Sequence, residues 1–284
     1  MSLRGVAGGL LALHRLLGAL ARRVPLHDAH RDFYGMLYGL ASRRVQFINK
    51  GFAPLDPTMP RLPALADEPF QAAECFEALR AGEAALGRAP ARVVEAACGR
   101  GGALLLAAAM WPQARLAGFD LQREAMRAAA SLLAVEGQGR TALAVAHGSH
   151  MPIADGWADL LLSIEGMMSH DRIAFMAEAQ RVLAPGGALS VVSTMNRPLE
   201  EARLGLLSTS LEHGLEMVDF RDIAPAVLEA CRLDGARRLG VLRFVPGPLG
   251  RVLTDAATLP GSPTYEELAS GHRCFYLAVM VRRG

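Results

Sequence analysis

Between residues 93 and 102 the chain reads Val93-Val94-Glu95-Ala96-Ala97-Cys98-Gly99-Arg100-Gly101-Gly102, and this stretch constrains the fold most. A short apolar run ends, glycines turn the backbone, and the apolar segment Ala103–Met110 follows at once. Such a sequence is a buried strand running through a tight turn into a helix. The glycines let the backbone approach a ligand closely, and the new helix offers unpaired N–H groups at its start. A Gly-x-Gly turn by itself suits a dinucleotide, a phosphate or nothing but a turn. The dinucleotide fingerprint needs a third glycine at position 104, where Leu104 stands.

The segments that follow repeat the strand–helix rhythm. Strands are expected at 92–97, 115–120, 141–146, 158–163 and 188–194, with helices at 103–110, 124–136 and 171–183 between them. Their continuous apolar character predicts a parallel sheet covered on both faces. Upstream, a helix is expected over 71–86. Pro54, Pro57, Pro60, Pro63 and Pro69 exclude helix or central strand from 53–69. Downstream, 195–235 reads as mostly helical. Arg238–Val245 and Cys274–Arg282 read as an antiparallel strand pair, with a helix at 256–257 or 265–270 between them. Asp120 closes the second strand, where a carboxylate can accept both hydroxyls of a ribose; capping the next helix is the structural alternative.

Composition narrows the function. Of 284 residues, 51% are hydrophobic and 20% charged, which excludes a disordered chain. A net charge of +2 and an aromatic content of 6% argue against a nucleic-acid binder. Cys75, Cys98, Cys231 and Cys274 form no Cys-x-x-Cys pair, so reduced thiols in a cytoplasmic protein are expected. His147, His150, His170 and Glu165 lack metal-ligand spacing, and no metal is expected. Leu3, Val6, Leu10, Leu13, Leu17, Leu20 and Val24 mark one face of a helix. Arg4, His14 and Arg15 keep it too polar to span a bilayer or serve as a signal peptide. Docking on the body is preferred to a membrane surface or a dimer contact.

Together these motifs resemble the class I S-adenosylmethionine-dependent methyltransferases, well over residues 90–195 and loosely elsewhere. Glu95-Ala96-Ala97-Cys98-Gly99-Arg100-Gly101 is similar to the family's acidic strand end and G-C-G-x-G turn, with Ala97 in place of the usual first glycine. Gly118-Phe119-Asp120-Leu121 resembles the second motif. Ala146-His147-Gly148-Ser149-His150-Met151-Pro152-Ile153 resembles the loop after the third strand, with His147 where the family has an aspartate. Arg181-Val182-Leu183-Ala184-Pro185-Gly186-Gly187 is similar to the family's R-V-L-x-P-G-G. Ile164-Glu165-Gly166-Met167-Met168-Ser169-His170 and Asn49-Lys50-Gly51-Phe52 look like elements of small-molecule methyltransferases acting on phthiotriolone, sugars, geranyl diphosphate and sterols.

The resemblance implies an α/β fold, a Rossmann-like doubly wound seven-stranded sheet with an antiparallel C-terminal strand pair and an N-terminal helical lid. It divides the chain into a lid and Pro-rich linker over 1–89 and a cofactor-binding domain over 90–284, with a helical insert at about 196–235. It implies S-adenosylmethionine as cofactor, held by Ala97, Gly99, Gly101, Asp120, Leu121, Gln122, His147, Gly148, Ser149 and Glu165. Glu165 and His170 are the candidate catalytic residues; their structural alternatives are a capping carboxylate and a neighbour of the helix cap at Asp171. The expected acceptor is a small apolar or amphipathic metabolite, taken by a monomer or homodimer. The competing readings are an NAD(P)-dependent oxidoreductase and a non-catalytic cofactor-binding protein.

Overall fold

The computed structural model describes residues 46–135, 140–167, 171–242 and 247–284. The helix read over 3–24, the rest of the lid region up to residue 45 and His170 lie outside them; residues 46–50, at the end of the stretch 26–50 expected to be helical, form no helix. Seven strands form one sheet: β1 (Arg92–Ala96), β2 (Arg115–Asp120), β3 (Thr141–Val145), β4 (Ala158–Ile164), β5 (Leu183–Met195), β6 (Leu215–Asp222) and β7 (Cys274–Arg282). Their order is β3-β2-β1-β4-β5-β7-β6. The first five run parallel, and β7 runs antiparallel to both β5 and β6.

Each central strand feeds two cores. In β1, Val93 packs into one and Val94 into the other; in β4, Leu160 and Leu162 face one and Leu161 the other. Strands buried on both faces need apolar residues at successive positions, and all seven positions of β4 are buried. One core is covered by α1 (Pro69–Leu86), α2 (Gly102–Met110) and α3 (Arg123–Val135). Leu104, Leu105 and Leu106 of α2 are almost fully buried, each stabilising the fold by about 1.5–3 kcal/mol. The opposite core is covered by α4 (Arg172–Val182), through Phe175, Met176 and Ala179, and by α5 (Leu199–Glu212), through Ala202 and Leu206. Asp171 caps α4, its Oδ1 accepting from the N–H of Ile173 at 2.9 Å.

In the chain's second half α5 packs on β6 and β7 and α6 (Ala224–Leu233) on β7; α7 (Gly235–Leu242), α8 (Gly247–Ala256) and the short α9 (Pro263–Ala269) follow. Here one expectation fails and one is refined. The stretch 195–235, read as mostly helical, carries α5 and α6 with a strand, β6, between them. Its alternation is interrupted by a register shift between Met217 and Asp219, so no clean period of two marks it. Arg238–Val245, read as a strand, falls on α7 and the residues after it. Arg237 and Arg238 both pair with Asp234, three and four residues back, which is a helical spacing. The partner of β7 is therefore β6. In addition, β5 starts at Leu183, so Pro185-Gly186-Gly187 lies inside the strand, against the start of β4. Among the described residues no helix is long and apolar enough to cross a membrane.

Candidate functional site

β1 has β2 on one side and β4 on the other, so the chain leaves the sheet in both directions past its C-terminal end. That divergence opens a crevice. The glycine turn lines it. Ala97, Gly99 and Gly101 all adopt positive φ, at 59°, 53° and 83°. Gly101 turns the chain with its back against α3: a Cβ there would lie 3.2 Å from the Cβ of Ala129.

Asp120 ends β2 beside this turn. Its Oδ2 accepts the N–H of Gly99 at 2.9 Å and its Oδ1 the N–H of Gln122 at 2.8 Å. The carboxylate thus joins the turn after β1 to the turn after β2, and each oxygen keeps a lone pair for a further donor. Burial raises its pKa; the N–H groups of Gln122 and Gly99 oppose the rise.

The crevice holds an empty space of about 960 Å³, its open mouth included. Of the residues expected there, Ala97, Gly99, Asp120, Leu121, Gln122, Gly148 and Glu165 line it. Gly101, His147 and Ser149 do not. Gly101 sits behind the turn. His147 folds its own loop: its Nδ1 accepts the N–H of Ser149 at 3.2 Å and its carbonyl the N–H of His150 at 2.9 Å. Arg181 staples the far end of this loop. It donates to the carbonyls of Met151 and Ile153 and to Glu178 and Asp155, while Glu178 accepts the N–H of Met151.

Two walls lie outside the expected list of cofactor contacts, though the motifs contain residues of both. Glu95, at the end of β1, lines the pocket fully buried, and its Oε2 has no hydrogen-bond partner. Burial pushes its pKa well up, and the charge of Asp120 pushes the same way. The acidic position in the motif was its signal. The second wall is the segment 46–52, which crosses the crevice mouth. Gln46, Phe47 and Asn49 line the pocket, and Lys50 pairs with Glu165. Oε1 of Glu165 also accepts the Lys50 N–H at 2.6 Å. Behind them Glu74, on α1, accepts the N–H of Gly51 at 2.5 Å. Burial raises the Glu74 pKa well above its ordinary value, and the charge of Glu165 adds to it. Burial likewise lifts the Cys75 thiol, so it is held protonated in the wall. Among the described residues no three potential metal ligands converge.

A doubly wound sheet with an antiparallel β7 between β5 and β6, a glycine turn after β1 and a carboxylate closing β2 is the Rossmann-like methyltransferase fold. Residues 93–187 match the family model of a methyltransferase domain. The ubiquinone/menaquinone biosynthesis C-methyltransferase UbiE of Syntrophotalea carbinolica is 31% identical over 128 residues, covering 45% of this chain and 53% of that protein. The chain thus spans about half the length of the curated relative it matches. Among solved structures, the geranyl diphosphate C-methyltransferase of Streptomyces coelicolor A3(2), in complex with Mg2+, geranyl diphosphate and S-adenosyl-L-homocysteine, superposes with a TM-score of 0.66. It is 15% identical over 91% of this chain and 98% of that one. The cyclase SpnF superposes at 0.63, with 17% identity over 88% and 95%. These structural likenesses concern the fold.

Proposed function

We propose that this protein transfers a methyl group from S-adenosylmethionine to an oxygen or carbon of a small apolar or amphipathic metabolite. The observation that carries the reading is Asp120, whose carboxylate ties the glycine turn to the exit of β2 at the edge of the pocket. That is where a ribose can present both hydroxyls to one carboxylate. The match of residues 93–187 to a methyltransferase domain supports it.

The residues suit this cofactor. Asp120 would hold the ribose, with Leu121 and Gln122 beside it and Gly148 contributing from the next loop. Ala97 and Gly99 would let the backbone close on the amino-acid end. Glu95 offers its unpartnered oxygen to an ammonium. Once bound, the cofactor supplies an electrophilic methyl group on a sulfonium. The chain's part is to orient the acceptor in line with that group and to exclude water. His170 is proposed to take the acceptor's proton where the acceptor is a hydroxyl. Four buried, unpaired cysteines accord with a cytoplasmic setting.

Titration calorimetry with S-adenosylhomocysteine and with NADH tests the reading. The homocysteine compound should bind and NADH should not. Asp120→Asn should weaken binding by about 2–3 kcal/mol, some 30- to 150-fold. NADH binding alone would favour an oxidoreductase. Binding without transfer of labelled methyl to any acyl, prenyl or phenolic acceptor would favour a non-catalytic protein.

A further inference from the structure

We propose that Lys50 and Glu165 form the clasp of a strap, residues 46–52, that closes the cofactor pocket, and that Glu165 is a positioning residue rather than the base. The inference rests on the cofactor assignment above and adds how the pocket is shut.

Both oxygens of Glu165 are engaged by one residue of the strap. Oε1 accepts the Lys50 N–H at 2.6 Å and Oε2 faces the Lys50 ammonium. The two side chains are 14% and 8% exposed, so the pair is shielded from water. Glu74 is wholly buried behind them. Its Oε2 accepts the Gly51 N–H at 2.5 Å, and the charge of Glu165 raises its pKa. The far side of the strap is held too: Arg238 donates to the Lys50 carbonyl, with the thiol of Cys231 3.8 Å from the same oxygen. Asn49 donates to the carbonyl of Gln71 at 3.0 Å, and Phe52 to that of Phe70 at 2.9 Å.

What the strap covers is the glycine turn. A Cβ on Gly102 would fall 2.2 Å from the ring of Phe47, so that ring lies directly against the start of α2. A base must be free to receive a proton, and both oxygens of Glu165 are taken up by Lys50. The clasp therefore holds Phe47 and Asn49 in the pocket wall, and a bound nucleoside leaves when it opens.

The test uses the full chain, with hydrogen exchange of the ligand-free protein and stopped-flow dissociation of S-adenosylhomocysteine. In Lys50→Met and in Glu165→Gln, amides 46–53 should exchange at least ten-fold faster while those of β1 and α2 keep their rates. Dissociation should accelerate about ten-fold, and the double variant should be no worse than either single one. Glu74→Leu, which removes the acceptor of the Gly51 N–H, should loosen the strap likewise, and Glu74→Gln, which keeps that acceptor, should restore it. That pair decides the matter should Lys50→Met fail to fold. With any acceptor found, Glu165→Gln should regain most of its rate at saturating cofactor, whereas loss of a base costs about 10²–10⁴-fold in kcat. Exchange and dissociation within two-fold of wild type in both single variants, or additive effects in the double one, would overturn the clasp. Failure of the wild type to bind S-adenosylhomocysteine would overturn the cofactor assignment, and the exchange measurements would still decide the clasp.

Discussion

Gly166 is the position where one methyl group should do most damage to the pocket. It follows Glu165 at the end of β4, and a Cβ there would lie 2.6 Å from the Cβ of Ala97, 3.2 Å from Oγ of Ser163 and 3.3 Å from the carbonyl of Ala96. Carbon atoms in contact sit about 3.5–4.0 Å apart, so roughly 1 Å must be found. Neither Cβ can rotate away. The two chain segments must part at the crevice, at an overpacking cost of about 1–3 kcal/mol for Gly166→Ala. In a chain of this size that lowers Tm by about 2–4 °C per kcal/mol. Ala97→Gly removes the colliding atom. It also relieves a left-handed residue, about 1–2 kcal/mol, against about 0.4–1 kcal/mol of added freedom in the unfolded chain. The single Ala97→Gly variant should thus gain about 0.5–1 kcal/mol. Combined with it, Gly166→Ala should cost at least about 1 kcal/mol less than it does alone. Urea unfolding of the four proteins measures the coupling. A Gly166→Ala protein within about 0.5 kcal/mol of wild type, or a cycle that closes additively, refutes the reasoning.

Three further outcomes follow from the same geometry. Glu95 has its folded pKa above the unfolded value near 4.5, so the folded state holds its proton longer. Its contribution is complete below that value and is lost as pH rises through the folded pKa, at no more than about 1.4 kcal/mol per pH unit. Glu95→Gln should flatten stability against pH above 4.5, measured by urea unfolding; an unchanged slope counts against it. Asp171→Ala removes the cap of α4 and should cost about 1 kcal/mol in the same assay, with no loss implying another partner for the N–H of Ile173. Arg181→Met removes the cation paired with Glu178, leaving that carboxylate only the Met151 N–H, and frees two loop carbonyls; it should cost about 3 kcal/mol and speed hydrogen exchange over 148–155. Unaltered exchange there would mean the loop is held by other contacts.

The elements legible in the sequence are those whose signals are local. β1, β2 and β4 announce themselves as apolar runs, and the glycine turn as a break followed by a helix. Asp120 was readable because its place at a strand end determines what it can reach. β6 escaped because its register shift at Met217 and Asp219 splits its pattern, and because its pairing with β7 joins residues as far apart in the chain as Leu215 and Arg282. α7 escaped because Leu239, Val241 and Leu242 suit a strand as readily as a helix, and the deciding contacts are those of Arg237 and Arg238 with Asp234. In the site, Asn49-Lys50-Gly51-Phe52 and Glu165 were each noticed. Their pairing joins residues 115 apart, and no spacing rule connects them. At His147 the ring Nδ1 accepts the N–H of Ser149 within its own loop, a contact that its place in the motif did not suggest.

The strained backbone points the same way as the hydrogen bonds. Among the described residues, three other than glycine have positive φ: Ala97 at 59°, Glu165 at 51° and Thr258 at 51°. Two of the three line the pocket, from the ends of the adjacent strands β1 and β4. Each left-handed residue costs about 1–2 kcal/mol, and a fold selected for stability alone would put glycine there. At Glu165 glycine would forfeit the carboxylate that holds Lys50, so the strain is the cost of aiming that side chain at the strap. At Ala97 no polar group is gained, and the methyl group instead sets the distance to Gly166, and hence how closely the ends of β1 and β4 approach beneath the ligand. The two positions therefore make opposite demands on substitution. Ala97 should accept glycine with a gain in stability, while Glu165 should accept no residue that lacks an acceptor for the Lys50 N–H.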